Sequence, residues 1–332
     1  MNERLTNLVR EFAKRRVLVV GDLVADQFLY GEISRVSREA PVLILRHERT
    51  ETVPGGAANC AVNLASLGAR ASIVGVVGAD AAGDALLERL GAAGVDCARV
   101  VRSPEVRTAT KVRILAGQAH SVRQQVIRVD YESAPPPSGA QLNRELGARV
   151  REAAAQADAI IISDYNYGVT GAETIATLRE VAGRRGVPVL VDSRFRLLEF
   201  ENFTSATPNE DEVEQVLGRR LADAATLEAA AAELRARLGH RALLITRGSQ
   251  GMLLLEAGAP PQHLPAVGSR EAVDVTGAGD TVIAAYTLAL ASGATFADAA
   301  RLANHAGGLV VMKRGTASVG AQELLTSLGE NL

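Results

Sequence analysis

The sequence predicts an α/β fold in which a central parallel β sheet is covered by helices on both faces. Short apolar runs of the kind that form buried strands recur at residues 16–22, 72–77, 159–162, 187–191 and 242–245. Helical patterns separate these runs, among them residues 81–93, 142–155 and 227–238. Because strands that alternate with helices pair in parallel, the runs predict one sheet between two layers of helices.

Two segments, residues 30–46 and 107–131, break this alternation and predict a small second sheet. In the second segment Thr110, Val112 and Ile114 occupy every other position, which is typical of half-buried antiparallel strands. We therefore expect a single domain over residues 1–332, from which a small β sheet stands off.

Composition narrows the functional class. With 332 residues, 47% of them hydrophobic, the chain can bury a large core. A net charge of −2 provides no global field for nucleic acid or an anionic membrane surface, and no apolar run reaches the eighteen or so residues of a membrane span. Two cysteines without a CxxC spacing suit a reducing compartment. We expect a cytoplasmic protein with neither nucleic acid nor membrane as partner.

The sequence Gly277-Ala278-Gly279-Asp280 directly precedes an apolar helical stretch. Small residues at a helix start leave several backbone N–H groups exposed, and together with the helix dipole these groups form an anion cradle. A carboxylate at the same turn can accept a proton from an attacking hydroxyl while the amides stabilise a transferred phosphoryl group. The alternative is a glycine-rich helix start that Asp280 merely caps.

A second glycine-rich pattern, Gly55-Gly56, opens another helical stretch that contains Asn59 and ends at Gly68. Glycines without a Cβ allow backbone amides and Asn59 to approach a polyhydroxy ligand closely. Close packing of the helix explains the small residues equally well.

Two further patterns have both a structural and a functional interpretation. Asn209 to Glu212 places three acids at a helix start, where they complement the helix dipole or hold a Mg-nucleotide through water. Residues 246–251 follow a buried strand with a polar glycine turn, which is either a plain hairpin or the edge of a nucleotide site. The chain lacks the P-loop, GxGxxG, HExxH and GxSxG motifs, so the enzyme classes that need them are disfavoured.

The order of these motifs, from Gly21-Asp22 through Gly55-Gly56 and Asn209 to Asp280, resembles the ribokinase-like, phosphofructokinase-B-type sugar kinases over nearly the whole chain. The resemblance implies a ribokinase-like parallel-sheet sandwich with a small β-sheet lid over the sugar, formed by residues 30–46 and 107–131. It also implies ATP and Mg²⁺ as cofactors and a small-molecule sugar phosphate as the partner.

Carried over residue by residue, the resemblance makes Asp280 the catalytic base and Gly277, Ala278 and Gly279 the anion hole. It makes Asp26, Gly55, Gly56 and Asn59 sugar-binding. The Mg-ATP site would contain Asn209, Glu212, Thr246, Arg247, Gly248 and Gly251, with Asn304, Ala306 and Gly307 near the adenine. Asp274 and Thr276 are candidate ligands of a monovalent cation such as K⁺.

A narrower resemblance, carried by residues 34–42, 110–113 and 127–130, is to the D-glycero-β-D-manno-heptose 7-phosphate kinases of lipopolysaccharide core synthesis. Such enzymes phosphorylate the C1 hydroxyl of a sugar that already carries a phosphate, which would explain a cationic lid. The alternative is that long cations decorate solvent-facing strands and deter edge pairing. The lid cations in question are Arg38, Lys111, Arg113 and Arg128.

Two positions depart from the family. Where relatives read Asp-Tyr-x-Lys-Gly and Asp-Pro-Lys, this chain has Tyr167 and Arg194 in place of the lysines. The alternative functions are a kinase for fructose or tagatose 6-phosphate, and a sugar-phosphate sensor without catalysis. Because exposed edges of a small sheet tend to be covered, we also expect a homodimer through the lid.

Overall fold

An eight-stranded sheet forms the centre of the computed structural model, which describes residues 2–117, 123–132, 139–268 and 271–329. The helices are α1 (Asn2–Glu11), α2 (Ala57–Ser66), α3 (Ala81–Ala92), α4 (Ala140–Ala154), α5 (Ala172–Arg185), α6 (Glu210–Leu217), α7 (Ala224–Leu238), α8 (Ala278–Ala291), α9 (Phe296–Val310) and α10 (Ala321–Gly329). The strands are β1 (Arg16–Gly21), β2 (Leu23–Val36), β3 (Leu43–Gly56), β4 (Arg70–Val74), β5 (Val76–Gly78), β6 (Val101–Ser103), β7 (Ala109–Gly117), β8 (Gln124–Tyr131), β9 (Ala159–Asp164), β10 (Val189–Ser193), β11 (Ser205–Ala206), β12 (Ala242–Thr246), β13 (Met252–Glu256) and β14 (Gln262–Leu264).

The central sheet has the strand order β14-β13-β12-β11-β10-β9-β1-β4. The strands from β12 to β4 pair in parallel, which confirms the predicted architecture. Strands β13 and β14 continue the sheet antiparallel at one edge; the turn from β12 to β13 is the hairpin offered as one interpretation of residues 246–251, whereas β14 was not predicted. The carboxyl ends of the parallel strands therefore share one edge, where ligands bind in open α/β sheets.

Both faces of the central sheet are covered by helices, which explains why its strands are continuously apolar. On β1, Val17 and Val19 pack into a core shared with α1, α2, α3, α8, α9 and α10. Leu18 and Val20 of the same strand pack into a second core with α4, α5, α6 and α7. Alternate residues of one strand thus serve two cores, as expected for a buried parallel sheet.

The prediction of one strand over residues 72–77 is wrong. The run divides at Gly75 into β4, which pairs with β1, and β5, which leaves the central sheet and pairs with β6. A Cβ at Gly75 would lie 1.9 Å from Cδ1 of Leu23 and 2.6 Å from the carbonyl oxygen of Gly21. The division occurs here because only a glycine fits where the chain passes the end of β1.

A four-stranded sheet with the order β3-β2-β7-β8, which we call the lid sheet, contains the two segments set apart in the sequence. Strands β7 and β8 are antiparallel as predicted, but β2 and β7 pair in parallel. Residues 118–122 of the predicted lid lie outside the described part of the chain. Strands β2 and β3 extend beyond the predicted segment of residues 30–46: β2 begins at Leu23 and β3 ends at Gly56. Their inner ends therefore reach the edge of the central sheet.

Replacing Gly21 with alanine tests how closely the strand ends approach each other. A Cβ at this position would lie 2.0 Å from the carbonyl oxygen of Ser163 on β9, so we expect the free energy of unfolding to fall by about 2 to 4 kcal/mol. Urea denaturation measures the change. Gly91→Ala is the matched control, because a Cβ there meets nothing within 4 Å in α3, and better helix propensity should stabilise the protein by up to about 1 kcal/mol. Equal effects of the two substitutions would contradict this account.

Candidate active site

Two cavities meet at the carboxyl edge of the central sheet, below the lid sheet. The larger one, of about 340 Å³, is lined mainly by charged and polar residues, and we call it the polar cavity. The second, of about 180 Å³, is lined mainly by small and apolar residues such as Met252, Val267 and Val282, and we call it the apolar cavity. Val275 and Gly279 line both cavities, so the glycine-rich turn before α8 lies at their junction.

Asp280 lies in the first turn of α8, is 5% exposed and lines the polar cavity. Gly277 precedes the helix with a φ of +76°, and a Cβ there would lie 2.6 Å from Nδ2 of Asn59. Within the described residues, the amides of Gly277 and Gly279 have no acceptor, whereas that of Ala278 donates to the carbonyl of Val275 at 3.2 Å. The predicted anion hole therefore has two free glycine amides, and Ala278 instead lines the apolar cavity.

A chain of side-chain hydrogen bonds holds Asp280. Thr281 Oγ1 donates to Asn63 Oδ1 at 2.7 Å, and Asn63 Nδ2 donates to Asn59 Oδ1 at 3.2 Å. This leaves Asn59 Nδ2 to donate to Asp280 Oδ2 at 2.6 Å. Thr281 thus orients the side-chain amide of Asn63, and Asn63 orients that of Asn59, so the Nδ2 group of Asn59 is directed to Asp280. Asn59, predicted to bind sugar, contacts the candidate base, so its own contact with a sugar stays a prediction.

The environment of Asp280 suits a general base. Burial raises the pKa of its carboxyl to about 7, against the opposing effect of hydrogen bonds from Asn59 and Tyr165. A base is most effective when its pKa lies near the working pH, because it is then both available and basic enough to take a proton. Asp280 is therefore far better matched to proton abstraction at neutral pH than an ordinary aspartate.

The loop after β9 forms one wall of the polar cavity and is held by the buried carboxylate of Asp22. This carboxylate accepts hydrogen bonds from the backbone amides of Tyr165 at 2.8 Å, Tyr167 at 3.0 Å and Val169 at 3.1 Å. The hydroxyl of Tyr165 then donates to Asp280 Oδ1 at 3.3 Å. Both oxygens of Asp280 are thus held by fixed donors.

The lid sheet places two of the four predicted cations, Lys111 and Arg113, in the wall of the polar cavity. Arg113 Nη1 forms an ion pair with Asp26 Oδ1 at 2.5 Å, and the two side chains are mostly buried. Lys111 forms no ion pair with any residue that the structure describes, and its Nζ lies 5.6 Å from the ring centroid of Tyr165. Burial, the largest cause, lowers the pKa of Lys111, against the opposing attraction of the Asp26 and Asp130 carboxylates, which lie beyond ion-pair distance. Lys111 is therefore a cation with room for an anionic partner.

The other two predicted lid cations lie elsewhere. Arg38 is exposed in the loop between β2 and β3. Arg128 forms a two-point ion pair with Asp130, at 2.9 and 3.0 Å. Neither residue lines the polar cavity, so a contact of either with substrate stays a prediction.

Asn209 and Glu212 form a capping box at the start of α6, which confirms the structural interpretation of these acids. Asn209 Oδ1 accepts from the amide of Glu212 at 2.8 Å, and Glu212 Oε2 accepts from the amide of Asn209 at 2.9 Å. Both residues also line the polar cavity, opposite Asp192. Burial raises the pKa of Glu212, and it raises that of Asp192 well above its ordinary value, with Glu212 and Asp280 adding to the second effect. A cation in this part of the cavity would relieve the repulsion among these acids.

The residues predicted to border the nucleotide and those predicted near its adenine are also divided between cavity and other positions. Gly248, Gly251, Asn304 and Gly307 line the apolar cavity, and Thr246 lines both cavities. Arg247 instead pairs with Glu210 at 2.7 Å, and Ala306 is buried in the core. Residues 246–252 also form the tight hairpin between β12 and β13 that the sequence analysis left as the alternative.

The candidate cation ligands Asp274 and Thr276 lie in the turn before α8. Asp274 accepts hydrogen bonds from the amides of Thr276 and Gly315, each at 2.9 Å, and so joins two loops. Across the described ranges, no group of three His, Cys, Asp or Glu residues is arranged to hold a metal ion. Mg²⁺ usually needs only one or two carboxylates in addition to substrate phosphates and water, and Glu212 and Asp192 fit that requirement.

Several cavity residues were missed as site residues in the sequence. Asp164 and Asp192 end or nearly end β9 and β10, so the rule that sites lie at the carboxyl ends of parallel strands points to both. Tyr165 matches the tyrosine of the family's Asp-Tyr-x-Lys-Gly motif, but only the fold brings its hydroxyl to Asp280. The missed residues are Asp164, Tyr165, Asp192, Arg194, Thr207 and Thr316.

The sheet sandwich and the lid sheet are the architecture of a sugar kinase. The chain belongs to the pfkB family of carbohydrate kinases, whose family model matches residues 14–323. Bifunctional protein HldE of Caulobacter vibrioides is 43% identical over 329 residues, which cover 98% of this chain and 65% of that protein. Its counterpart from Pseudomonas aeruginosa is 44% identical over 316 residues, 94% of this chain and 63% of that protein. The chain thus spans less than two thirds of the length of these relatives.

Solved structures confirm the ribokinase-like fold. Ribokinase of Arabidopsis thaliana, in complex with ribose and ATP, superimposes with a TM-score of 0.73 at 22% identity, covering 95% of this chain and 98% of that one. Phosphofructokinase-2 of Escherichia coli, in complex with potassium, gives a TM-score of 0.76 at 21% identity and the same coverage. The chain is an ATP-dependent carbohydrate kinase. None of its described helices has the length and apolar character needed to cross a membrane.

The raised pKa of Asp280 predicts that this residue reduces stability at neutral pH. A carboxyl with a pKa of about 7 in the folded chain and about 3.9 in the unfolded chain makes stability fall as the pH rises between these values. Asp280→Asn removes this effect, so the variant should gain stability over the wild type by roughly 2 to 4 kcal/mol between pH 4 and 7. Urea denaturation at several pH values measures the difference. A difference that does not change with pH would contradict the assignment.

Proposed function

We propose that this kinase transfers the γ-phosphoryl group of ATP to the C1 hydroxyl of D-glycero-β-D-manno-heptose 7-phosphate. The product would be the 1,7-bisphosphate, for lipopolysaccharide core and ADP-heptose synthesis. The observation that carries the proposal is that the buried carboxyl of Asp280, with a pKa of about 7, shares a cavity with the lid cation Lys111, which forms no ion pair within the described ranges. The resemblance of the lid segments to heptose 7-phosphate kinases and the similarity to bifunctional protein HldE support it.

Asp280 serves as the base in this proposal. The acceptor hydroxyl enters the polar cavity beside the carboxylate, which takes its proton as the hydroxyl oxygen attacks the γ-phosphorus in line. The free amides of Gly277 and Gly279, at the positive end of α8, stabilise negative charge on the transferred group. Bound Mg²⁺ would neutralise charge on the phosphates, with Glu212 and Asp192 as the nearest carboxylates.

The charges of the polar cavity favour a phosphorylated sugar. A neutral sugar needs hydrogen bonds but no cations, whereas a sugar phosphate brings a dianion that must be paired. Lys111 enters from the lid sheet and Arg194 from the end of β10, and neither forms an ion pair with another described residue. Relatives have lysines at the positions of Tyr167 and Arg194. Arg194 would keep a positive charge at the second position, whereas Tyr167 leaves the first without one.

ATP would occupy both cavities. Its adenine suits the apolar cavity between Gly251 and Gly307, and its phosphates would cross the junction at Gly279 toward Asp280. Asn209 and Glu212 lie on the route of the phosphates. A monovalent cation such as K⁺ is proposed beside Asp274 and Thr276, since the Asp274 carboxylate is held near the glycine turn.

A homodimer through the lid sheet and a cytoplasmic location remain proposals. The lid sheet and its loop carry several exposed apolar side chains, which a second copy would cover. These are Val36, Val42, Leu43, Val126 and Ile127.

Replacing Asp280 with alanine should reduce kcat by about 10²- to 10⁴-fold, since general-base catalysis is lost. ATP binding should be largely retained, because the apolar cavity is untouched. Coupled ADP-release kinetics and calorimetric titration with ATP measure the two quantities. Near-normal turnover of the Asp280→Ala variant would refute the assignment of the base.

Replacing Lys111 with alanine tests the choice of substrate. If Lys111 pairs with the phosphate of the sugar, KM for that sugar phosphate should rise by about 10- to 100-fold, as for loss of a charged hydrogen bond of roughly 1.5 to 3 kcal/mol. KM for ATP should change much less. The matched control is Arg46→Ala, which removes an exposed lid cation that is already paired with Glu32.

The same assay, run on the wild-type protein with the heptose 7-phosphate, fructose 6-phosphate and tagatose 6-phosphate, ranks the alternatives. Preferred turnover of a hexose 6-phosphate would replace the proposed substrate. Tight binding of one sugar phosphate without any ADP release would favour a sensor.

A further inference from the structure

The hydroxyl of Tyr165 is the second donor to Asp280, and neither the sequence patterns nor the comparisons give it a role. It lies 3.3 Å from Oδ1, while Asn59 donates to Oδ2 at 2.6 Å. We propose that Tyr165 is a positioning residue for Asp280: its hydroxyl fixes the direction of the carboxylate and favours its ionised form. The inference rests on the proposed function in one respect, namely that Asp280 is the base.

The position of Tyr165 is fixed by its surroundings. The carboxylate of Asp22 holds its amide at 2.8 Å and also binds the amides of residues 167 and 169. Asn166, the next residue, has a φ of +63°, an unfavourable value for a residue with a side chain, which turns the loop sharply after the tyrosine. On the other side of Tyr165 lies Gly56. A Cβ on this residue would lie 2.8 Å from the carbonyl oxygen of Asp22 and 3.4 Å from Cδ2 of Tyr165. The Asp22 carbonyl and the φ of +57° require glycine at this position, and the ring of Tyr165 lies beside it at contact distance.

The hydroxyl of Tyr165 stays protonated at physiological pH and can therefore donate to Asp280. The negative charge of Asp280, followed by burial, raises the pKa of the Tyr165 phenol well above its ordinary value. The hydroxyl thus keeps its proton and directs it to the carboxylate. The ionised carboxylate of Asp280 accepts a hydrogen bond more strongly than the protonated carboxyl does, so the bond stabilises the form that a general base requires.

The two donors approach Asp280 from different elements. Asn59 belongs to α2 and is held by the chain of Asn63 and Thr281, whereas Tyr165 belongs to the loop after β9. Burial alone would favour a protonated carboxyl that cannot accept the proton of the substrate. Together the donors offset part of that burial and leave the carboxylate facing the polar cavity.

Other charged or titratable groups also act on Asp280 or its neighbourhood. Asp26 on β2 opposes ionisation of Asp280, and Lys111 on β7 favours it. Asp192 on β10 and Cys60 on α2 interact electrostatically with the same carboxylate. Because Asp192 is a second acid with a raised pKa, a kinetic pH profile must be joined by a direct measurement on Asp280.

Tyr165→Phe removes the hydroxyl and keeps the ring. We expect the acidic limb of the kcat/KM profile to move to higher pH by about 0.5 to 1 unit, since the ionised carboxylate loses one donor. The rate at pH 6.5 should fall by about threefold to tenfold and recover above pH 8.5. The matched control is Tyr167→Phe on the same loop, whose hydroxyl donates to Glu132 at 2.7 Å and which should leave the limb in place.

The direct measurement is the ¹³C carboxyl titration of Asp280 by NMR, assigned by comparison with Asp280→Asn. An upward shift of its titration in Tyr165→Phe, absent in Tyr167→Phe, supports the inference even if no sugar phosphate is turned over, in which case the proposed function fails alone. An unchanged titration of Asp280, or a rate that falls equally at every pH, would overturn the inference and leave Tyr165 as a wall of the cavity.

Discussion

The hydrogen bond from Asn59 to Asp280 is the contact on which the rest of the site depends. It joins the first turns of α2 and α8, the two helices that begin with the glycine-rich sequences. Gly277 allows the approach, because a Cβ there would lie 2.6 Å from the Asn59 amide nitrogen. Gly55 and Gly56 have a similar reason at the start of α2, because a Cβ would lie 2.4 Å from Oδ2 of Asp26 and 2.8 Å from the carbonyl oxygen of Asp22, respectively.

Burial disfavours the charged form of a carboxyl, and this effect makes Asp280 a stronger base than an exposed aspartate. Burial raises the pKa of Asp280 to about 7, and the donors Asn59 and Tyr165 limit the rise. An aspartate in water would be ionised but too weak a base, and one buried without donors would be protonated. The lid sheet contributes charges of its own. It places Lys111 in the wall of the polar cavity, and its Arg113 pairs with Asp26. Function here depends on which charges are paired and which are left free.

Much of this arrangement was predictable. Apolar runs between helical patterns predicted the central sheet. Strands that are buried on both faces are apolar at nearly every position, as in β1, β9, β10 and β12. Glycines next to acids predicted Asp280, because the chemistry needs them adjacent in the chain. The division at Gly75 and the parallel pairing of β2 with β7 were not predictable in this way. Each depends on contacts between residues far apart in sequence, such as Gly75 with Leu23.

The sequence by itself determined the fold class, the family and the glycine-rich turn that holds the candidate base, because each rests on local patterns and their order along the chain. Only the tertiary structure decided the state of individual side chains. It paired Arg113 with Asp26 and left Lys111 without an ion pair among the described residues, it directed Asn59 to Asp280, and it brought Tyr165 to the same carboxylate. The physical reason is that charge pairing, burial and pKa depend on distances between elements, and no periodicity within one segment encodes those distances.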